Sequence, residues 1–216
     1  MKHFPELQLS TVSARVLGCL LEKEVTTPDL YPLTLNSLVT ACNQSSSRHP
    51  VTSYTADEVT EAIRQLSEDY LVTKVLGGRT PKYEHELSDV LDLTDQERAI
   101  LTVLLLRGTQ TTGELKQRTD RLYNFESLDQ IEEILSGFID YPHGPLVERI
   151  PSGGGRRVET FRHLLAESGA SSPSATQAET SPESSEVDDW RQEMEARINA
   201  LEEQVKSLLE QGPSRS

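Results

Sequence analysis

The sequence predicts an α+β fold in which a unit of three helices and one β-hairpin occurs twice. An apolar helical pattern is found at residues 9–24 and again at 93–108, where Val16 matches Ile100. In each half, a glycine-containing turn later joins two β-type runs. This self-similarity indicates an internal duplication, and the duplication determines the fold class.

The net charge limits the kinds of partner that the chain can have. The 216 residues carry a formal net charge of -14, and hydrophobic residues make up 35%. Eleven acidic and four basic residues follow residue 166, so about half of the charge lies in the C-terminal tail. A polyanion repels nucleic acid, which argues against a general nucleic-acid scavenger.

The first unit begins with a long helix at residues 12–24. Pro28 and Pro32 constrain the backbone, so residues 26–33 are not expected to be helical. Thr34 then caps a short helix whose apolar residues lie on one face. Its apolar positions are Leu35, Leu38, Val39 and Cys42. The third helix is predicted at residues 56–69, with Thr55 as N-cap.

The second unit repeats this order, with Ser127 as the N-cap of its third helix. Each unit ends in a predicted hairpin, and glycines at both turns are expected to supply positive φ. The hairpin strands are predicted at 73–76 and 80–86 around Gly77 and Gly78, and at 147–150 and 157–161 around residues 152–155. Three helices followed by a β-hairpin, twice over, predict tandem winged-helix domains.

The domain boundaries follow from these elements and from a change in composition after residue 165. A stretch of Ser, Pro, Thr, Ala and Glu cannot bury enough apolar surface to become ordered. Beyond it, Val187, Met194, Leu201 and Leu208 are spaced by seven, which predicts a coiled coil and a homodimer. The predicted parts are winged-helix domains at 7–87 and 91–165, a disordered linker at 166–186 and a coiled-coil helix at 187–211.

Two segments carry a resemblance to a known family. They are LLEKEVTTPDLYPLTLNSLVTACNQSSSRHP at residues 20–50 and GELKQRTDRLYNFES at 113–127. Both resemble the YceH-like family, a bacterial group of uncharacterised winged-helix proteins, and the likeness spans roughly residues 7–165. Where family members often have Lys and Asn, this chain has Ser45 and Ser47. The resemblance implies a fold and a motif loop with Asn43, Gln44 and Arg48, without implying an activity.

No enzyme signature is found in the sequence. The five histidines show no metal-ligand spacing with each other or with the cysteines. SGGGRR at residues 152–157 lacks the Lys-Ser/Thr of a phosphate loop. Cys19 and Cys42 lie on apolar helix faces as small core residues. We therefore predict no catalytic residue, no metal and no cofactor.

The charges on the third helices do not favour DNA binding there, although winged helices usually insert this helix into the major groove. Acidic residues dominate both exposed faces, as at Glu61 and Glu133. Basic residues lie elsewhere, with Arg156 and Arg157 at a glycine-rich tip as the foremost phosphate contacts. The predicted nucleic-acid-binding residues are Arg48, Arg79, Lys82, Lys116, Arg118, Arg121, Arg156 and Arg157. Alternatively, exposed arginines only solvate the surface, and Asn43 and Gln44 only cap a helix end.

Two functions therefore remain open. The first is a non-enzymatic DNA-binding or transcription-regulatory protein that uses basic wings. The second is a protein-interaction adaptor whose acidic third helices or paired winged helices bind a partner protein. The free cysteines, and a sequence without a signal peptide or an apolar run of membrane length, predict a reduced, cytoplasmic protein with no membrane contact.

Overall fold

A computed structural model describes residues 8–153 and 158–166, all of which belong to one compact unit. We call residues 8–86 the first half and residues 92–166 the second half. The first half contains α1 (Thr11–Thr26), a 3-10 turn (Pro28–Leu30), β1 (Leu33–Thr34), α2 (Leu35–Cys42), α3 (Ala56–Glu68), β2 (Val72–Val75) and β3 (Lys82–His85). After α4 (Leu87–Leu91), the second half contains α5 (Asp95–Arg107), α6 (Thr112–Arg118), α7 (Leu128–Ile139), β4 (Val147–Ile150) and β5 (Thr160–His163).

The longer helices begin at hydroxyl residues for a local reason. A Ser or Thr side chain at each start accepts a hydrogen bond from a backbone N–H in the first turn, which would otherwise have no partner. The N-caps of α1, α2, α3, α5, α6 and α7 are Ser10, Thr34, Thr55, Thr94, Thr111 and Ser127. The predicted caps Thr34, Thr55 and Ser127 are confirmed.

The segment between α1 and α2 differs from the expected non-helical stretch at residues 26–33. Helix α1 continues to Thr26, and Pro28 begins a 3-10 turn. Proline fits the first position of such a turn because its missing N–H would be unpaired there anyway. A short strand, β1, then precedes α2 and was not predicted.

Both predicted hairpins are confirmed as antiparallel strand pairs. Strand β3 lies between β1 and β2 in a three-stranded sheet, and β4 pairs with β5 in a two-stranded sheet. Strand β5 begins at Thr160 rather than at the predicted residue 157. The expectation of positive φ at Gly77 and Gly78 is wrong, since the described glycines with positive φ are Gly108, Gly144 and Gly153.

The repeated helices α1 and α5 pack against each other, and one buried core extends across both halves. The helices approach closely at Gly18, where an added Cβ would lie 3.0 Å from the Leu105 Cβ. Backbone hydrogen bonds also join the halves, as from His49 N–H to the Leu106 carbonyl at 2.9 Å. The domain boundaries at 7–87 and 91–165 stay predictions.

The predicted linker, the coiled coil and the homodimer that it would form lie outside the described residues. So do Arg156 and Arg157 at the tip of the second hairpin. None of the helices in the described part of the chain has the length and apolar character needed to cross a membrane.

Candidate functional site

The motif loop is held by a charged pair inside the protein. Arg48 is 5% exposed, and its guanidinium contacts both carboxylate oxygens of Glu22 at 3.0 and 2.6 Å. Its Nε also donates to the Ala41 carbonyl at 3.0 Å. Burial alone would raise the pKa of Glu22, but the hydrogen bonds and charge of Arg48 outweigh it, so the pKa is lowered. These contacts occupy the donors of Arg48. The prediction that Arg48 contacts nucleic acid is therefore wrong, and the residue has a structural role.

Asn43 also has a structural role, as the residue that follows α2. Its side-chain Nδ2 donates to the Tyr54 carbonyl, and its Oδ1 accepts from the Tyr54 N–H, both at 2.7 Å. This reciprocal pair joins the end of α2 to the segment before α3. Arg15 adds a second tie, because it donates to the carbonyls of Cys42 and Pro50.

Gln44 faces the adjacent helix rather than the interior. Its Oε1 accepts from Lys23 Nζ at 3.1 Å, and its Nε2 donates to the Ser46 carbonyl at 2.9 Å. Ser47, next to Arg48, has a φ of 59°. The left-handed conformation is uncommon for a residue other than glycine or asparagine. Gln44 and Ser47 therefore present polar groups at the seam between the halves.

The predicted basic residues of the second half differ in their partners. Lys116 donates to the Glu126 carbonyl at 2.8 Å. Arg118 pairs with Glu114 at 3.1 Å and also donates to Gln110. Arg121 is exposed and makes no hydrogen bond or ion pair with a described residue. It therefore keeps its full capacity to bind an external anion.

The two hairpins also differ in their free charge. In the first hairpin, Arg79 is exposed and Lys82 is half-buried, and neither is ion-paired to another described residue. In the second hairpin, Arg149 pairs with Glu159 at 3.1 Å and Arg162 pairs with Glu148. Among the described residues, the first hairpin therefore offers more available positive charge.

Four clefts share lining residues from one to the next, and we call them together the polar groove, although apolar side chains such as Leu30, Leu33 and Val39 also line it. The first, of about 570 Å³, runs from Lys82 along α2 to Lys23, and the second, of about 580 Å³, runs from Lys23 past Gln44 to Ser45. The third, of about 90 Å³, joins Gln44 to Ser47 and α5. The fourth, of about 440 Å³, lies at the ends of α5 and α6. Its basic and polar residues include Lys23, Asn36, Ser37, Thr40, Gln44, Ser47, Lys82, Arg107, Arg118 and Arg121.

The polar groove is the part of this acidic chain where basic residues are gathered. Its five cations are Lys23, Lys82, Arg107, Arg118 and Arg121, and its three carboxylates are Glu22, Asp29 and Asp120. Glu22 pairs with the buried Arg48 and also with Lys23, whose Nζ lies 3.3 Å from a Glu22 carboxylate oxygen. The groove thus brings together five residues of the predicted set, whereas Arg79 and Lys116 do not line it; the five are Asn43, Gln44, Lys82, Arg118 and Arg121.

Lys23 and Arg107 were not among the predicted site residues. Each lies in the last turn of a helix, where a base is ordinarily explained by its attraction to the helix carboxyl end. The available signal was that both residues follow matched apolar patterns. That signal did not show that Lys23 and Arg107 line one cleft, which depends on how α1 and α5 cross.

The described residues show no group of three or more His, Cys, Asp or Glu side chains that could hold a metal ion. Cys19 and Cys42 are buried free thiols. A hydrogen bond with Cys19 and burial both raise the pKa of Cys42, so this thiol stays protonated.

The molecule is therefore a mixed α+β protein with two helix-and-hairpin halves and a polar groove across them. Residues 9–168 match the family described as "Protein of unknown function, DUF480", and the chain belongs to this family. It is 41% identical to a UPF0502 protein of Vibrio atlanticus, covering 93% of this chain and 94% of the relative. It is 43% identical to UPF0502 proteins of Cellvibrio japonicus, with 94% and 92% covered, and of Geobacter sulfurreducens, with 94% and 91% covered.

Proposed function

We propose that this chain is a non-enzymatic, cytoplasmic tandem winged-helix protein that binds DNA along the polar groove and regulates transcription. The order of elements supports the winged-helix assignment. In each half, three helices precede an antiparallel hairpin in the position of a wing. The fold suggests DNA binding only by analogy. The physical support for DNA binding therefore comes from the residues of the groove.

The observation that carries the proposal is the gathering of five cations in one groove of a chain with a net charge of -14. Most contacts between proteins and DNA are made to phosphates, and their affinity comes largely from the release of counterions. The exposed face of α2 adds the amide of Asn36 and the hydroxyls of Ser37 and Thr40. The Asn36 amide can donate to a phosphate between the flanking basic residues, whereas the hydroxyls of Thr40 and Ser37 already bond to the Asn36 carbonyl and to Thr34 and offer acceptor oxygens.

The third helices contribute little to this binding. Arg64 is the base on the exposed face of α3, and it is already paired with Glu61 and Glu68. The exposed face of α7 carries Asp129, Glu132 and Glu133. Carboxylates held against phosphates raise the free energy of the complex, so the groove and the first hairpin take the place of the third helices.

Fluorescence anisotropy of a labelled random duplex tests the proposal with the full chain at low and physiological salt. We expect binding that weakens steeply with salt. The double variant Lys82→Gln with Arg121→Gln removes one cation at each end of the groove, which should lower the salt slope by about 2. Arg64→Gln is the control and should leave the slope unchanged.

Unaltered affinity of the double variant would exclude the groove as the binding surface. Failure to bind random duplex at either salt would leave only a sequence-specific site or a protein partner. The predicted Arg156 and Arg157 contacts are tested separately, since their double substitution by Ala should abolish binding if the second wing also contacts phosphate.

A protein-interaction adaptor is the second candidate, and it is favoured by a specific surface. In the first half, exposed apolar side chains follow the acidic helix α3 in sequence, Tyr70 at 80% and Leu76 at 77%. Acidic and apolar groups together suit a basic, amphipathic partner. A pull-down would support the adaptor if a partner is retained after nuclease treatment and lost with Glu61→Lys and Glu133→Lys. Retention by this variant would argue against it.

A further inference from the structure

The fourth cleft of the polar groove lies where the ends of α5 and α6 meet the motif loop. It has a volume of about 440 Å³ and is lined by Ser47, Arg107, Gln117, Arg118, Asp120 and Arg121. We call it the arginine pocket. Three guanidinium groups line it, and the same three also line the adjoining third cleft, so the two clefts share one arginine cluster.

The guanidinium groups of the pocket are only partly satisfied by the protein. Arg118 is paired with Glu114. Neither Arg107, which is half-buried, nor Arg121 makes a side-chain hydrogen bond or ion pair within the described residues. A half-buried guanidinium loses hydration and gains nothing in exchange, unless an external anion supplies the acceptors.

The charges in the pocket also repel one another. Burial lowers the pKa of Arg107, and the nearby charges of Arg118 and Arg48 lower it further. Attraction to the carboxyl end of a helix explains Arg107 or Arg118 singly. This attraction does not explain why the carboxyl ends of α5 and α6 lie close together, or why Arg121 adds a third positive charge there.

The motif loop lines the pocket through Ser47, which has an unusual conformation. Ser47 has a φ of 59°, and its carbonyl accepts from Arg48 at 2.9 Å. The buried pair of Arg48 and Glu22 holds the next residue in place. Backbone strain of this kind is found at sites where a side chain must be aimed at a ligand.

We propose that the arginine pocket binds a phosphate group of a small molecule, with Arg107 and Arg121 as the principal contacts. Guanidinium groups bind phosphate through paired hydrogen bonds. The three arginines outnumber Asp120, the carboxylate in the same lining, and the resulting net charge of about +2 matches in magnitude that of a phosphate monoester. The hydroxyl of Ser47 also lines the pocket and can donate to the phosphate. The volume falls in the range of small-molecule sites.

This inference goes beyond DNA binding because the pocket would exist in the absence of DNA. The pocket is one end of the polar groove, however, so a bound small molecule would exclude a nucleic-acid strand from that end. A phosphorylated ligand would therefore act as an effector that weakens duplex binding.

Isothermal titration calorimetry of the full chain with inorganic pyrophosphate, at constant ionic strength, tests the pocket directly. We expect Arg107→Gln and Arg121→Gln each to weaken pyrophosphate binding about tenfold or more, since each removes charged hydrogen bonds. Arg64→Gln, on α3, should bind like the wild type. Arg121 is exposed, so its variant keeps the test valid if Arg107→Gln does not fold.

The pocket proposal is overturned if millimolar pyrophosphate does not bind, or if the Arg121 and Arg64 variants bind it equally. A short oligonucleotide without a terminal phosphate distinguishes a phosphate monoester from a nucleic-acid backbone. Tighter binding of pyrophosphate supports the pocket, and tighter binding of the oligonucleotide overturns it. If pyrophosphate binds and the duplex does not, the phosphate-binding pocket is supported and DNA binding along the groove is rejected. If the duplex binds and pyrophosphate does not, only DNA binding along the groove is supported.

Discussion

The two halves share one order of elements but hold themselves together by different interactions. The first half buries charged side chains, Arg15, Glu22 and Arg48, whereas the second half buries three phenylalanines. These are Phe125, Phe138 and Phe161. The loop at residues 44–48 has no apolar side chain, so only polar ties can order it. The comparison teaches that the first half adds buried charges to its apolar core, and that these charges hold a defined loop at the seam.

The last residues of the two hairpins show the same contrast. His85 pairs across its sheet with Val72, and His163 pairs with Val147, so the two histidines occupy matching positions. The Nε2 of His85 lies 3.0 Å from a Glu24 carboxylate oxygen. In both histidines the Nδ1 is buried without a hydrogen-bond partner among the described residues. The charged neighbour of His163 is a cation, Arg162, instead of a carboxylate.

The sharpest test of the polar first half is Arg48→Met. The substitution leaves Glu22 buried without its countercharge, so we expect the free energy of unfolding to fall by about 3–5 kcal/mol. Urea denaturation measures this loss. Arg64→Met, which breaks an exposed ion pair, should cost less than about 1 kcal/mol.

Removing both Arg48 and Glu22 shows whether the ion pair itself raises the free energy of unfolding, or whether only an unpaired buried charge lowers it. Adding Glu22→Met to Arg48→Met should recover most of the lost stability, because no unpaired charge remains. If Arg48→Met costs no more than Arg64→Met, the first half does not depend on its buried charges.

Acid should act on the second half at higher pH than on the first half, where the stabilising contribution of Glu22 is lost only below its ordinary pKa of 4.5. Burial, and then the charge of Arg162, lower the pKa of His163 from 6.5 to about 4. The unfolded chain therefore takes up this proton at higher pH than the folded protein does. Stability is fully present above pH 6.5 and falls as the pH drops towards 4, by on the order of 2 kcal/mol. His163→Asn should flatten this part of the pH profile, and an unchanged slope would reject the assignment.

Gly18→Ala tests whether both halves depend on the close contact of α1 and α5. The added Cβ would lie 3.0 Å from the Leu105 Cβ, so we expect a net loss of about 1–2 kcal/mol despite the better helix propensity. Gly137→Ala in α7 meets nothing within 4 Å and should stabilise by about 0.5–1 kcal/mol. If both substitutions stabilise the protein, the contact between α1 and α5 can accommodate a Cβ at residue 18 without loss of packing.

The smallest effect is expected at the strained loop residue. Ser47→Asn should stabilise the chain by about 0.5 kcal/mol, because asparagine tolerates the left-handed conformation better than serine. Ser45→Asn, at an exposed residue without positive φ, is the matched control and should be neutral. Thermal unfolding of the two variants measures the difference. Equal melting temperatures would show that the left-handed conformation of Ser47 is not strained.

Local signals predicted much of the fold. A cap such as Thr55 acts on a backbone N–H three residues away, and helix α3 begins where that residue places it. The candidate site was harder to predict because its contacts are distant in sequence. Arg48 was interpreted as a surface base since its partner, Glu22, lies 26 residues earlier.

The sequence by itself determined the helices, the hairpins and the repetition of their order. These depend on periodicity and on capping within a few residues of each position. Only the tertiary structure decided which bases are buried, which are paired and which converge on the arginine pocket. Pairing of α1 with α5 brings Ser47 to Arg107 and Arg118, and such a juxtaposition depends on packing between elements that no local pattern encodes.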